Sequence, residues 1–174
     1  KQFPWFDYSS YSFSLGIDAG EGIYLSGHTA SAYDEEAGRI TIKGGMAEQA
    51  RTAYAKIAAI LEGAGKSFGD VVRVVEYVKP EGIERYGEAA AVREEVFGSH
   101  RPAVNTVPVK ALLRPTAFIE IEITAGPVAA ETSFGAGLPV ARESSGVVFL
   151  PTVQSVNESG EIIGAGDVVA QTAA

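Results

Sequence analysis

The chain is 174 residues long, carries 14 Lys and Arg against 22 Asp and Glu for a formal charge of −8, and contains no cysteine. That length predicts one domain, or one domain plus an incomplete piece of another. The absence of cysteine excludes disulfide frameworks, thiolate nucleophiles and zinc–thiolate sites; two histidines, His28 and His100, are too few for a His-rich metal centre, so no metal or other cofactor is expected. A net acidic surface without a local basic patch speaks against electrostatically driven nucleic-acid binding. No apolar run approaches the roughly 18 residues that span a bilayer, and residues 1–8 lack the continuous apolar core of a signal peptide, so a soluble cytoplasmic protein is expected.

Residues 22–30, GIYLSGHTA, alternate Ile23 and Leu25 with Tyr24 and Ser26 and then reach Gly27, the pattern of a strand ending at a close backbone approach. DEEAG at 34–38 supplies turn chemistry before the short apolar piece 40–42, which suggests a hairpin. Over 45–64, Met46, Ala50, Ala53, Ile57, Ile60 and Leu61 fall at three- and four-residue spacings, predicting an amphipathic helix stopped around Gly63 and Gly65. The β-branched run in 67–79 predicts a mostly buried strand from Val71, ended by Pro80 and Gly82. A second helix is predicted over 83–97, with Ile83, Tyr86, Ala90, Val92 or Arg93, and Phe97 at helical intervals, stopping at Gly98. Two further strands follow, 103–109 and 117–125. In the latter Ile119, Ile121 and Ile123 alternate strictly with Glu120, Glu122 and Thr124, so one face is core and the other carries carboxylates. The order predicts an α+β layer with two helices on one face of a sheet.

GPVAAETSFGAG at 126–137 mixes glycine, proline and small residues, as linkers do. Beyond it the sequence repeats itself. Gly146 and the four residues after it track Gly22 to Ser26; after a two-residue deletion Gly160 to Ile162 track Gly38 to Ile40; Gly166 and Gln171 track Gly44 and Gln49. The domain reading is therefore a complete repeat at 1–127, a linker at 128–137 and an incomplete second repeat at 138–174. Two strands and a helix stub cannot bury a core of their own. Either a further segment or a second chain completes the repeat, or its strands pack on the first repeat or on a neighbouring subunit. In the second copy Leu150 and Pro151 stand where the first has Ser26 and Gly27.

The Tyr11-Ser12 start, the strand ending Leu25-Ser26-Gly27-His28, the helix containing Gln49-Ala50-Arg51, the strand 71–79, the Arg101-Pro102-Ala103 turn and the closing Ile119-Glu120-Ile121-Glu122 run in one order over 11–127. Together they resemble the Rid family, also called YjgF or enamine/imine deaminase. The resemblance implies a chorismate-mutase-like fold, assembly as a trimer with ligand clefts between subunits, and hydrolysis of reactive enamines or imines to a ketone and ammonia. It assigns the acid/base to the second glutamate of the closing strand, Glu122, and the cleft lining to Tyr11 and the backbone around Ser26 and Gly27. The family's carboxylate-binding arginine and its cysteine fall at Val104 and Thr106. Valine cannot reproduce a bidentate guanidinium–carboxylate pair, so the expected substrate is neutral, or is anchored from a shifted position by Asn105, Arg101 or Arg114.

Each residue also has a plainer reading. Glu122 and Glu120 share an outward face that solvent alone would satisfy; Ser26 and Gly27 could be a tight strand end; Tyr11 lies in an aromatic-rich opening suited to packing; Thr106 is a small strand residue; His28 could be a general base or a packing residue. The leading expectation is a Rid-like hydrolase acting on a small enamine, imine or amide-like metabolite. The alternative is a non-catalytic trimeric metabolite-binding module, and the −8 charge argues against an endoribonuclease.

Overall fold

The strict alternation at 119–125 becomes the middle strand of a five-stranded sheet in the computed structural model, which describes residues 7–10, 12–128, 130–133, 140–157, 159 and 161–173. In chain order the elements are β1 (Gly16–Asp18), β2 (Ile23–Leu25), β3 (Ala32–Asp34), β4 (Arg39–Thr41), α1 (Met46–Gly63), β5 (Val71–Val78), α2 (Pro80–Ile83), α3 (Tyr86–Phe97), β6 (Ala103–Pro108), β7 (Ile119–Ala125), β8 (Ala130–Ser133), β9 (Val140–Ser144), β10 (Val147–Phe149) and α4 (Val168–Ala173). The main sheet runs β1-β2-β7-β5-β6, with β5 and β6 parallel and the other pairs antiparallel. A parallel pair requires a crossover that returns the chain to the same end of the sheet, and α2 and α3 provide it.

The architecture is α+β, as the element order implies. Tyr54, Ile57 and Leu61 of α1 and Ala89, Val92 and Phe97 of α3 pack on Val74, Val78, Ile119, Ile121 and Ile123 in one cluster. Burying each large aliphatic side chain contributes about 1.5–3 kcal/mol, so this layer dominates stability. The Glu48 carboxylate accepts from Gly45 N–H at 2.7 Å at the start of α1, and Gly65, with φ +70°, ends it. The helix predicted over 83–97 is broken. Pro80, which lacks the donor that a first helical turn leaves unused, opens the single turn α2, and α3 starts anew at Tyr86.

Within the stretch read as a linker, Ala130–Ser133 forms β8, which pairs with β9; residues 134–139 lie outside the described residues. The β9–β10 hairpin turns through Ser145 and Gly146, both left-handed at φ 49° and 78°, as a type I′ turn requires. The chain then reaches the open edge of β6: Thr152 N–H donates to Val104 O at 2.9 Å, and Asn105 Nδ2 donates to Leu150 O at 3.2 Å. An edge strand otherwise presents unpaired backbone groups, and residues 150–152 satisfy part of this one. Gly44 and Gly166, each at φ +83°, both stand two residues before a helix, α1 and α4 respectively.

Candidate functional site

β2 ends at Leu25, and the chain leaves the sheet through Ser26 and Gly27 before His28 rejoins it by a two-way backbone bridge to Ile121, at 2.8 and 3.0 Å. This excursion borders a cleft of about 140 Å³ that also meets α1, β7 and the β6–β7 connection. Its polar lining includes Ser26, His28, Lys56, Arg114 and Glu120, and Leu15 and Leu113 belong to its apolar wall.

Glu120 and Gly27 touch. A Cβ on residue 27 would lie 2.0 Å from Glu120 Oε1, so only glycine leaves the carboxylate its place. Burial raises the Glu120 carboxyl above the usual range, the neighbouring charge of Glu122 adds to the effect, and Lys56 opposes it. Lys56 directs its ammonium inward, donating to Thr29 O and Ser31 O at 2.9 Å each and to Ser31 Oγ at 3.1 Å. Burial, then the positive charge of Arg114, lower it to about 8, against the pull of Glu120.

His28 Nδ1 faces the Ser26 carbonyl, which can only accept, so Nδ1 carries the proton and Nε2 is bare. Nε2 is buried without a hydrogen-bond partner among the described residues. Burial holds this imidazole down at about 4, with Lys56 adding to the lowering and the Ser26 hydrogen bond opposing it. At neutral pH His28 is therefore an uncharged acceptor. The Ser26 hydroxyl is engaged with the Ser14 carbonyl, leaving backbone as this turn's main contribution.

Of the residues singled out from sequence, Ser26 and Gly27 line this cleft, and Arg114 joins them. Glu122 does not. It lies two residues along the same face of β7, half-buried, accepting from Tyr77 O–H at 3.2 Å. Asn105 accepts from Arg73 at 3.2 Å and shares its register row with Val75 and Glu122. Thr106 pairs with Glu76, one position on, so its side chain lies on the opposite face from Glu122, with its hydroxyl 2.7 Å from Tyr86 Oη. Val104 packs on the helix-covered core, and Arg101 is exposed. Tyr11 lies outside the described residues.

Three residues important to the cleft were not identified from sequence: Glu120, Lys56 and Gln49. Buried Gln49 donates to Gly44 O at 3.1 Å and Thr116 O at 3.2 Å, and accepts from Phe118 N–H at 2.8 Å, fixing the connection that carries Arg114 into β7. A glutamine on the apolar face of an amphipathic helix is the signal that could have found it. Beneath the sheet, fully buried Glu76 accepts from Tyr54 O–H at 2.9 Å and Tyr86 O–H at 2.5 Å and pairs with Arg93. Among the described residues no group of three or more His, Cys, Asp or Glu could hold a metal ion, and no helix is long and apolar enough to cross a membrane.

Residues 8–126 match the family model described as Endoribonuclease L-PSP. A RutC family protein of Pyrococcus horikoshii is 34% identical over 113 residues, 65% of this chain and 85% of its own length. The crystal structure of a Mycobacterium tuberculosis member of the YjgF family aligns with a TM-score of 0.56 and 32% identity, covering 68% of this chain and 89% of that one. The YjgF gene product of Escherichia coli gives 0.57 and 29%, over 66% and 87%.

Proposed function

The chain belongs to the Endoribonuclease L-PSP family, to which the YjgF and RutC proteins are similar, and from that premise we propose that it hydrolyses a small enamine or imine with Glu120 as the acid/base. The observation that carries this reading is a half-buried carboxyl with a raised affinity for its proton, held against a side-chain-free backbone turn in a cleft. Protonated Glu120 gives its proton to the imine nitrogen, which makes the carbon electrophilic. Water adds to that carbon and loses a proton to the Glu120 carboxylate, leaving a carbinolamine. The reformed acid protonates the amine, the C–N bond breaks as the hydroxyl oxygen forms the carbonyl, and the hydroxyl proton returns to the carboxylate. An imine and a water become a ketone and ammonia, and an enamine enters by protonation at carbon. Glu122 supports the step through its charge, which raises the affinity of Glu120 for a proton.

The working form in this reading is a homo-oligomer, a trimer or a trimer of paired repeats. Leu150 and Pro151, the counterparts of Ser26 and Gly27 in the second copy, sit beside the β6 edge of the first, through the Leu150 carbonyl and the neighbouring Thr152 amide. This contact lies within one chain; the same docking made between subunits would be a heterologous contact, the type that closes into rings. The division into a repeat at 1–127, a linker at 128–137 and a partial repeat at 138–174 accords with it. Exposed Ile17, Tyr24, Val147 and Ile162 offer further apolar surface for such contacts. The −8 charge argues against the RNA cleavage in the family's description.

The test follows ammonia and ketone release from a freshly generated small imine. The wild-type chain accelerates release, and Glu120→Gln lowers turnover by about 10²- to 10⁴-fold, the usual contribution of general acid/base catalysis. Tight binding of the ketone product with no acceleration by the wild type replaces the hydrolase reading with that of a metabolite-binding module.

A further inference from the structure

We infer that Lys56 is a nucleophile that captures small uncharged aldehydes as a covalent imine. This activity shares the cleft with the proposed hydrolysis but does not depend on it. It follows from three groups in one lining: an amine without a carboxylate partner, Lys56; a second cation, Arg114; and a carboxyl acid, Glu120.

Lys43 pairs with Asp34 at 2.7 Å, Lys66 with Asp70 at 3.6 Å and Lys79 with Glu81 at 3.9 Å, and a carboxylate partner holds the proton on an amine. Lys56 makes no ion pair among the described residues; its three acceptors, Thr29 O, Ser31 O and Ser31 Oγ, are uncharged. A neutral amine keeps two N–H donors for the two carbonyls, and the Ser31 hydroxyl, which can donate as well as accept, meets the lone pair. The fold therefore accommodates the amine without its third proton. Ser31 Oγ is the most distant of the three partners, at 3.1 Å, and Ser31 lines the cleft, so the lone pair it holds borders the space a ligand enters. Partial burial and the neighbouring Arg114 both disfavour the ammonium, against Glu120, while His28 is uncharged at neutral pH. A desolvated lysine beside another cation is the arrangement that makes an amine nucleophilic. With its value at about 8, roughly one-tenth of Lys56 is neutral at pH 7, against under about a thousandth for an ordinary lysine.

The Lys56 lone pair forms a bond to the aldehyde carbon while the carbonyl oxygen takes the Glu120 proton. The nitrogen then returns a proton to the Glu120 carboxylate, giving a neutral carbinolamine. The reformed acid protonates the hydroxyl, the C–O bond breaks with loss of water, and the nitrogen lone pair closes the C=N bond. One amine, one aldehyde and the Glu120 proton become a protonated imine, a water and a Glu120 carboxylate. The remaining N–H still serves one of the two carbonyls. An aldehyde carbon carries a single substituent besides hydrogen, the least bulk around the new bond in a cleft of about 140 Å³, and Leu15 and Leu113 suit a short alkyl chain.

The experiment treats the folded wild-type chain at pH 7 with acetaldehyde and sodium cyanoborohydride, which reduces the imine to an ethylamine, and reads the ethyl group on each lysine by peptide mass mapping. Lys56 is labelled at least ten-fold faster than Lys43 or Lys66, and urea abolishes the advantage. Arg114→Gln, which removes the neighbouring cation, slows Lys56 by about three-fold or more and leaves Lys43 unchanged. Should that variant fold poorly, the comparison of folded and urea-treated wild type decides alone. Labelling of Lys56 no faster than Lys43 in the folded wild type, an advantage that persists in urea, or a rate indifferent to Arg114→Gln in a folded variant overturns the inference. Trapping on Lys56 in a protein that hydrolyses no imine leaves the inference standing and removes the hydrolase reading; hydrolysis without trapping does the reverse.

Discussion

The Glu120 carboxylate occupies the space in which a side chain at Gly27 would begin, 2.0 Å from the position of its Cβ. Since the obstructing atom is the far end of a flexible side chain, Gly27→Ala is accommodated by displacing the carboxylate rather than the backbone. The expected result is a change in stability within about 0.5 kcal/mol, the range of surface substitutions, together with a fall in turnover of ten-fold or more. Thermal melts and imine hydrolysis on one preparation check both halves. Unaltered turnover would show that the acid does not act from this position.

Acid should destabilise the protein through His28. Its folded pKa, about 4, lies below the ordinary value of 6.5, so between these values the unfolded chain binds a proton that the folded chain refuses. The stabilisation is complete above pH 6.5, drains away as pH falls toward 4 and changes no further below it. Its size is on the order of 3 kcal/mol, at about 1.4 kcal/mol per pH unit. Urea midpoints at pH 7 and 4.5 should fall further for the wild type than for His28→Asn. Equal falls would remove the histidine from the explanation.

Glu76 is the buried acid on which Arg93, Tyr54 and Tyr86 converge. Glu76→Ala strands the guanidinium and two hydroxyls, with an expected loss of about 3–5 kcal/mol. Removing Arg51, whose pair with Glu95 is more than half exposed on both sides, should cost less than about 1 kcal/mol. Chemical denaturation of Glu76→Ala and Arg51→Ala separates the two cases.

Light scattering at micromolar concentration should give an oligomeric mass, with three copies the leading expectation. A stable monomer would remove the interfacial part of the proposal while leaving the single-chain cleft intact.

The fold was legible wherever a period was long or strict. Eighteen residues of α1 and the Ile119, Ile121, Ile123 alternation of β7 announce themselves, because burial of one face dictates the spacing. β1 did not: Gly16–Asp18 is too short to show a period and owes its place to pairing with β2. Within the site, Gly27 was legible because glycine marks close approach. Alternation placed Glu120 and Glu122 on one face but carries no information about which end of the strand meets the Ser26–Gly27 exit, a matter of tertiary register. Arg114 entered only as one of three equal candidates, since the path of its loop depends on Gln49, 67 residues away from Thr116. Val104 belongs to the core side of β6. Val104→Arg is therefore expected to lower stability without creating a carboxylate preference within the chain.

The central claim is that Glu120, not its neighbour Glu122, carries the proton. Turnover of one small imine by Glu120→Gln and Glu122→Gln, measured side by side across pH, tests it most directly. The expected result is a loss of about 10²- to 10⁴-fold in Glu120→Gln, against less than ten-fold in Glu122→Gln with its pH profile displaced to lower pH, as removal of the charge that raises Glu120 requires. The larger loss in Glu122→Gln, with Glu120→Gln near the wild type, would contradict it.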